Sequence, residues 1–436
     1  MKPISILICG GMEMRGKLKW LFLLLLSAVV VISGCNSKEE KKTSDEKSGD
    51  EEVKLVMYSW RPEDRAMYEK AIKQFNEKHP NIKVEFQPYK STEYNTILTN
   101  ALVSGEGPDI IQLRPYSGAT TIADNGYLMP LDDLKGIENI EKVYLDAASG
   151  SDGKVYGVPL SLNSGVVFYN KKIFEEHGIS VPNTWDEFIA VNEKLLEAGI
   201  TPIAQSGRAA YLLSMTHGVI APSAYNGNEY VEDVVGGLTT LEDERFVESV
   251  KRMQSLEKYF PKDFIALEDN DAQSLFFSEQ AAMYINGDYR LATFESTAPN
   301  MDLGVISGFA GSDGVKNVMT WVDGSYAGVK NTKHPEEVKL FLQYLASKEF
   351  GQLFSDEVNR LSAITGVVPK HPIVKQITED MEKSFTPYLM LVHFGEGEPT
   401  TKTTFENALQ GMYLGEITLE DVIQEAQENY ERSQSN

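Results

Sequence analysis

Planar side chains follow the first strand that the sequence predicts. Trp60 and Arg61 come directly after the apolar run Leu55–Tyr58, and a helical pattern begins at Pro62. An indole ring can stack on a flat ligand surface, and a guanidinium can donate two hydrogen bonds in one plane. Ordinary core packing is the alternative for Trp60. Because open parallel sheets bind ligands outside the carboxyl ends of their strands, we expect Trp60 and Arg61 to contact a ligand.

The common sequence motifs of catalytic and metal sites do not occur in this sequence. It contains no H-E-x-x-H, C-x-x-C or G-x-S-x-G, and Gly105 with Gly107 lacks the third glycine of a dinucleotide loop. The segment 268–271, Glu-Asp-Asn-Asp, resembles a calcium loop only faintly, because the loop glycine and the last glutamate are missing. Acidic pairs are uninformative in a chain with 64 carboxylates. We therefore expect no catalytic residue, no metal and no cofactor.

Alternating strand and helix patterns predict the framework that positions Trp60 and Arg61. Apolar runs and apolar–charged alternation predict strands at 54–58, 82–86, 109–113, 166–169 and 281–287. Helices are predicted between them. Thr184 and Glu187 have the spacing of a capping box, and Pro335 opens a later helix. The alternation predicts an α/β fold with a doubly wound, parallel sheet.

The first 52 residues are predicted to be an export signal and a tether. Basic residues at 15, 17 and 19 precede the uncharged run 20–32, which is short for a membrane span but suits a secretory signal. The segment 32–35, Ile-Ser-Gly-Cys, resembles the end of a bacterial lipoprotein signal, in which Cys35 is lipidated and becomes the first residue. The predicted lipoprotein signal peptide comprises residues 1–34, and an ordinary signal peptide with an incidental cysteine is the alternative. Residues 35–52 have no large apolar side chain after the cysteine and predict a flexible tether.

The composition is that of an exported acidic protein without disulfides. The net charge is −23, and removal of residues 1–34, with four basic and one acidic residue, makes it −26. This charge argues against nucleic acid as a partner, because phosphate binding needs a basic face. Cys9 leaves with the signal, so no pair of thiols remains. The remaining 402 of the 436 residues are enough for two domains.

Four segments occur in an order that resembles one protein family. They are Leu102–Ile111, Gly153–Phe188, Ser278–Arg290 and Trp321–Ser347. Behind the lipoprotein-like signal, they resemble the extracellular sugar-binding lipoproteins of ABC importers, the solute-binding family 1 that includes maltose-binding protein. The resemblance covers essentially all of residues 53–430.

The resemblance implies a two-lobed, periplasmic-binding-protein-like fold of type II, with the ligand in a cleft between lobes joined by hinge strands. We expect the chain to cross between lobes near 157–160, 286–289 and 331–335. Lobe 1 would then comprise 53–159 plus 288–333, and lobe 2 would comprise 160–287 plus 334–436. Closure of the lobes would shift an open–closed equilibrium.

The resemblance also implies a function in transport. The protein would bind a di- or oligosaccharide and deliver it to an ABC permease, as a non-enzymatic monomer anchored by lipid at the extracytoplasmic face of the cell membrane. A receptor for another small polar solute, such as a polyol phosphate or a peptide, remains an alternative. An anchored glycoside hydrolase would need two carboxylates roughly 5–9 Å apart across the cleft. A structural surface lipoprotein would have no saturable ligand.

A sugar offers a face of C–H groups and a rim of hydroxyls, which aromatic rings and planar polar groups would bind. Tyr289 falls where the family has a stacking tryptophan, and Asp288 stands in place of a proline, which implies a different sugar. We expect Trp185 to pack within its lobe and Asp109 to cap a turn. The remaining predicted contacts, besides Trp60 and Arg61, are Arg114, Tyr116, Asn163, Arg208, Tyr211, Trp321 and Asp323.

Overall fold

Strands and helices alternate along the computed structural model, which describes residues 52–395 and 397–434. The strands are β1 Val53–Ser59, β2 Ile82–Pro88, β3 Ile110–Leu113, β4 Val158–Asn170, β5 Thr201–Ile203, β6 Ala281–Gly287, β7 Leu303–Ile306, β8 Gly308–Ala310, β9 Lys316–Gly328, β10 Leu361–Ser362 and β11 Phe385–Pro387. The predicted signal, Cys35 and the tether up to residue 51 lie outside the described residues.

The helices account for most of the remaining chain. They are α1 Arg65–Lys78, α2 Ser91–Ser104, α3 Ser117–Asp124, α4 Lys142–Leu145, α5 Lys171–Glu176, α6 Trp185–Glu197, α7 Tyr211–Ile220, α8 Asn228–Val235, α9 Glu244–Ser255, α10 Asp269–Phe277, α11 Leu291–Thr297, α12 Pro335–Leu345, α13 Lys348–Val358, α14 Pro372–Met381, α15 Leu389–Val392, α16 Thr401–Tyr413 and α17 Leu419–Gln434. Short 3₁₀ turns cover Pro62–Asp64 and Asp288–Arg290, among others. No helix within the described ranges is long and apolar enough to cross a bilayer.

The helix starts follow from local sequence chemistry. Thr184 caps α6, because its side chain accepts a hydrogen bond from the Glu187 amide while the Glu187 carboxylate accepts one from the Thr184 amide. This confirms the predicted capping box. Pro335 begins α12 as predicted, since a proline lacks an N–H that the first helical turn would leave unpaired anyway.

One mixed sheet connects the whole fold. Its central order is β2-β1-β3-β9-β4-β6-β5. The pairs β1–β2, β1–β3 and β5–β6 are parallel, whereas β9 runs antiparallel to both β3 and β4, and β4 runs antiparallel to β6. The predicted parallel arrangement therefore holds only toward the two ends of the sheet.

The long strands β4 and β9 join the two ends of the sheet. The first half of β4, from Val158 to Ser164, pairs with β9, and the second half, from Gly165 to Tyr169, pairs with β6. At its far end β9 pairs with β3 through Ser325–Gly328. Both strands thus pass from one lobe to the other, and we call them the hinge strands.

The predicted assignment of 334–358 to lobe 2 is wrong. Helices α12 and α13 pack on α1, where Phe341 meets the ring of Phe75 with 5.0 Å between centroids and Glu357 pairs with Lys70. They therefore belong with β1 and β2. The apolar residues of α12 drive this packing, since Val338, Phe341 and Leu342 are all buried.

The predicted assignment of 288–310 to lobe 1 is also wrong. Phe294 of α11 packs against Phe168 and Tyr284, at 4.7 and 5.7 Å between ring centroids, and β7 pairs with the second half of β4. The chain returns to lobe 1 through β9. It leaves again near β10, which pairs with Ser161 and Leu162 of β4. The second and third crossings consequently lie about 30 residues later than expected.

Candidate functional site

A polar network joins the end of β1 to both hinge strands. Arg61 forms an ion pair with Asp323 of β9. The other oxygen of that carboxylate, Oδ1, accepts a hydrogen bond of 3.0 Å from Asn163 Nδ2 on β4, and Oδ2 lies 3.4 Å from the donating Ser161 Oγ. Three predicted site residues that are far apart in the sequence thus meet in one cluster, which we call the hinge network.

The turn that presents Arg61 is fastened to the neighbouring strand. Gln112 Oε1 on β3 accepts hydrogen bonds from Ser59 Oγ, at 2.7 Å, and from the Trp60 amide, at 3.2 Å. The Arg61 amide in turn donates to Ser59 Oγ at 3.0 Å. Sequence reasoning missed Ser59 and Gln112. The available signal was a glutamine inside the apolar strand Ile110–Leu113.

Trp60 is packed and does not offer the stacking surface that we expected. Only 4% of the residue is exposed. Its ring meets Tyr94 edge-on at 5.4 Å, and the guanidinium of Arg114 covers it at 4.3 Å. A β-carbon at Gly324 would come within 2.8 Å of the indole. These contacts favour the core alternative for Trp60, and its role as a ligand platform stays a prediction.

Arg114 and Tyr116 lie beyond the end of β3, as predicted. Besides stacking on Trp60, Arg114 donates to the carbonyl and the hydroxyl of Ser91, at 3.1 and 2.8 Å, and it has no carboxylate partner among the described residues. The hydroxyl of Tyr116 accepts from the Val322 amide of β9 at 3.0 Å, and burial raises its pKa. Tyr116 therefore supports a hinge strand.

A second pair of buried charges lies beside the hinge network. Arg360 Nη1 is 3.4 Å from Asp64 Oδ2, and burial raises the pKa of Asp64. Asp288 is 3% exposed and accepts a 2.8 Å hydrogen bond from the Ser164 amide of β4. Burial raises its pKa to about 7. Asp288 was predicted, but no motif indicated Asp64 or Arg360.

Polar side chains around Arg290 form a cluster that sequence reasoning missed. Arg290 forms an ion pair with Asp269 at the start of α10. Asp269 Oδ1 also accepts from the Tyr284 hydroxyl at 2.6 Å and from Asn286 Nδ2 at 3.3 Å, while Asn286 Oδ1 accepts from the Tyr289 hydroxyl at 2.9 Å. We call these five residues the Arg290 cluster. The only signal was the adjacency of Arg290 to the predicted Asp288 and Tyr289.

The segment 268–271, which faintly resembles a calcium loop, contributes Asp269 to the Arg290 cluster. Asp269, the second residue of Glu268–Asp271, uses both oxygens within the Arg290 cluster and toward Gln273. Across the described residues, no group of three or more His, Cys, Asp or Glu is arranged to hold a metal.

The remaining predicted residues divide between surface and core. Tyr211 begins α7 and is 39% exposed, and Arg208 pairs with Glu268 at 3.1 Å on the surface. Trp321 is only 8% exposed and packs on Tyr388 at 5.6 Å between centroids, so the packing favours a core role, and its contact with a ligand stays a prediction. Trp185 packs against Phe188 at 5.9 Å, which confirms its predicted packing role.

The pairing register of β4 and β6 brings the hinge network and the Arg290 cluster together. Gly287, the last residue of β6, pairs with Gly165 of β4, so Asp288 falls beside Ser164 while Asn163 reaches across to Asp323. Arg290 completes the same turn as Asp288. The structure thus places the ends of β1 and β6 on the two sides of one short stretch of hinge strand.

The chain matches a known family over most of its length. The model of the bacterial extracellular solute-binding protein family matches residues 58–352. This protein belongs to that family. Members of this family are extracellular, so they act outside the cytoplasm. The α/β fold with two hinge strands agrees with membership of the family.

Individual relatives of this solute-binding protein are distant but nearly full-length. A multiple sugar-binding protein of Streptococcus mutans is 25% identical over 359 residues, covering 79% of this chain and 83% of the relative. The melibiose/raffinose/stachyose-binding protein MelE of Bacillus subtilis is 21% identical, covering 80% and 82%. The apo structure of RafE from Streptococcus pneumoniae has a TM-score of 0.75 at 19% identity, covering 87% of this chain and 98% of RafE, and so supports the shared fold.

Proposed function

We propose that this protein is the sugar receptor of an ABC importer, binding a di- or oligosaccharide between its lobes and presenting it to a permease. The hinge network of Arg61, Asn163 and Asp323 is the observation that carries the proposal. It lies where both hinge strands pass between the lobes, and it combines donors and acceptors in one place. The sugars named for the relatives point in the same direction.

The chemistry of the hinge network suits neighbouring hydroxyl groups. A guanidinium donates, a carboxylate accepts and an amide does both, so together they can bind a hydroxyl pair from either side. Because the charge of Arg61 is balanced by Asp323, the network favours an uncharged polar ligand. The exposed ring of Tyr211 and the half-buried ring of Tyr289 supply aromatic surface for the C–H face of a sugar.

The hinge strands couple binding to lobe movement. A ligand that touches Arg61 on one lobe and Tyr289 on the other contacts both only when the lobes are close, and it therefore stabilises a closed form. Closure would be the signal that a permease reads. No bond is made or broken in this scheme, so the protein acts as a receptor and not as an enzyme.

Lipidation at Cys35 would keep the receptor at the extracytoplasmic face of the membrane. The receptor would act there as a monomer. A diacylglyceryl group provides two acyl chains, which is enough for stable anchoring, whereas one chain is marginal. Metabolic labelling with a lipid probe tests this directly: we expect label on the wild-type chain and none on Cys35→Ala, and equal labelling of both would contradict it.

Calorimetric titration against a sugar panel tests the receptor function. Melibiose, raffinose, maltotriose, xylotriose and chitotriose cover the linkages of interest. We expect at least one to bind and to raise the melting temperature with concentration, since a ligand that binds only the folded state stabilises it by mass action. Chromatography of the same mixtures should show intact sugar. Absence of any binding, or the appearance of shorter products, would contradict the proposal.

A further inference from the structure

Arg290 occupies in lobe 2 the position that Arg61 occupies in lobe 1. Arg61 follows the carboxyl end of β1, and Arg290 follows the carboxyl end of β6. In both lobes this end is the edge of a parallel strand pair, β1–β2 or β5–β6. Such edges are where open α/β sheets place their ligands.

The two arginines also resemble each other in the kind of residue that pairs with them and in having an Nε without a hydrogen-bond partner among the described residues. Each is paired with a partly buried aspartate, Asp323 for Arg61 and Asp269 for Arg290, and Arg61 is also paired with Glu63 at 3.2 Å. In each, Nε is shielded from solvent and has no hydrogen-bond partner within the described residues. A buried donor without a partner destabilises the folded protein, so each such group needs an explanation, and a ligand that accepts the hydrogen bond is one.

Aromatic rings fix the direction of Arg290. Its guanidinium carbon lies 5.6 Å from the centroid of Tyr289, and Tyr211 from the segment after β5 also interacts with it. A quarter of the Arg290 side chain remains exposed. The guanidinium is therefore held in place by protein contacts, and a quarter of the side chain remains accessible to a ligand.

We propose that Arg290 is a ligand-binding residue of lobe 2 and, together with Arg61, selects uncharged sugars that offer hydroxyls to both lobes. The inference rests on the proposed sugar-receptor function. Asp269 is a positioning residue, because it neutralises and orients the guanidinium without needing to touch the ligand. A carboxylated sugar gains little from an arginine whose charge is already balanced, and it would approach Asp269 and Asp323 with like charge.

Substitution of Arg290 tests the binding role. We expect Arg290→Gln to weaken binding of the best neutral sugar in the panel at least tenfold, and Arg290→Lys to weaken it severalfold, since lysine keeps the charge but loses the planar donor set. Arg245→Gln is the matched control, because Arg245 is also paired with aspartates and lies 5.1 Å from the ring centroid of Tyr230, yet it belongs to α9 and does not follow the carboxyl end of a strand. We expect it to bind as the wild type does.

Substitution of Asp269 tests the charge selection. Affinities are compared for that neutral sugar and for its form oxidised to a uronate at C6. We expect Asp269→Asn to shift the ratio at least threefold toward the uronate, which a purely structural loss would not do because it would weaken both sugars alike.

The outcomes separate the two proposals. If the wild type binds a sugar while Arg290→Gln and Arg290→Lys bind it equally well, the role of Arg290 is overturned and the receptor function stands. If Arg290→Gln fails to fold by circular dichroism, the lysine variant decides the question in the same way. If the wild type binds no sugar at all, both proposals are overturned.

Discussion

At the scale of single residues, the same tryptophan that suggested a ligand platform is a structural support. Trp60 holds Arg114 over its face and Gly324 against its edge. The adjacent Arg61 belongs to the hinge network through its ion pair with Asp323, and its contact with a ligand stays a prediction. Residue type and position at a strand end suggested both residues, but the burial of Trp60 depends on Tyr94, 34 residues away.

Replacing Trp60 by alanine should destabilise the fold. Loss of a buried aromatic side chain typically costs about 3–5 kcal/mol, and here it would also remove the surface on which Arg114 rests. Urea unfolding of Trp60→Ala measures this cost. Tyr211→Ala is the control, since that residue is 39% exposed and its truncation should cost clearly less than that of Trp60. Equal stability of Trp60→Ala and wild type would return Trp60 to the role of an open platform.

At the scale of elements, the hinge strands β4 and β9 carry most of the hinge network, because both strands pass between the lobes. The pairing of β4 with β9 is irregular at Asp323, which has no partner in the register and instead binds Ser161 and Asn163 through its side chain. The helices mainly cover the faces of the sheet. Helix starts were predictable from caps, whereas the two later crossings were not, because pairing between β9, β10 and β4 depends on residues far apart in the chain.

Trp60 packs so closely against β9 that substitution of Gly324 tests whether this contact positions the hinge strand. Gly324→Ala would push a methyl group to within 2.8 Å of the indole and displace Trp60 or the strand that carries Asp323. We expect a loss of roughly 1–3 kcal/mol in the free energy of unfolding and weaker sugar binding.

A double-mutant cycle isolates this contact. Trp60→Phe removes the ring atoms nearest to Gly324, so the double variant should lose less stability than the two single variants added together. Strict additivity would show that the clash lies elsewhere.

At the scale of the whole molecule, two buried titratable groups act in opposite directions on stability. His217 is buried between Phe246 and Phe405, its Nε2 lies 2.8 Å from Ser249 Oγ, and burial lowers its pKa from 6.5 to about 3. Asp288 has a pKa raised by burial from 3.8 to about 7, against the opposing influence of the Ser164 amide and Arg360 and with that of Asp323.

The two groups should offset each other as the pH falls. The unfolded state takes up the histidine proton below pH 6.5 and the folded state does not, so His217 costs stability on acidification at roughly 1.4 kcal/mol per pH unit. Asp288 is protonated first in the folded state, so between about pH 7 and 4 it adds stability on acidification at a similar slope.

Asp288→Asn therefore exposes the effect of His217. We expect the variant to lose stability more steeply than the wild type between pH 6.5 and 4, measured by urea unfolding at several pH values. His217→Gln should show the reverse difference. Parallel pH profiles for wild type and Asp288→Asn would mean that Asp288 is ionised normally in the folded protein.

The sequence by itself determined the fold class, the carboxyl ends of five strands to within two residues and the residue types suited to a polar ligand. These properties are local: apolar periodicity, a capping box and a proline at a helix start act within a few residues. Tertiary structure alone decided which of the candidates share a site. Whether Trp60 and Trp321 are open or covered, and whether Arg290 meets Asp269, depends on the register of β4, β6 and β9. Contacts between distant segments are formed by packing of the whole core, and no local pattern specifies them.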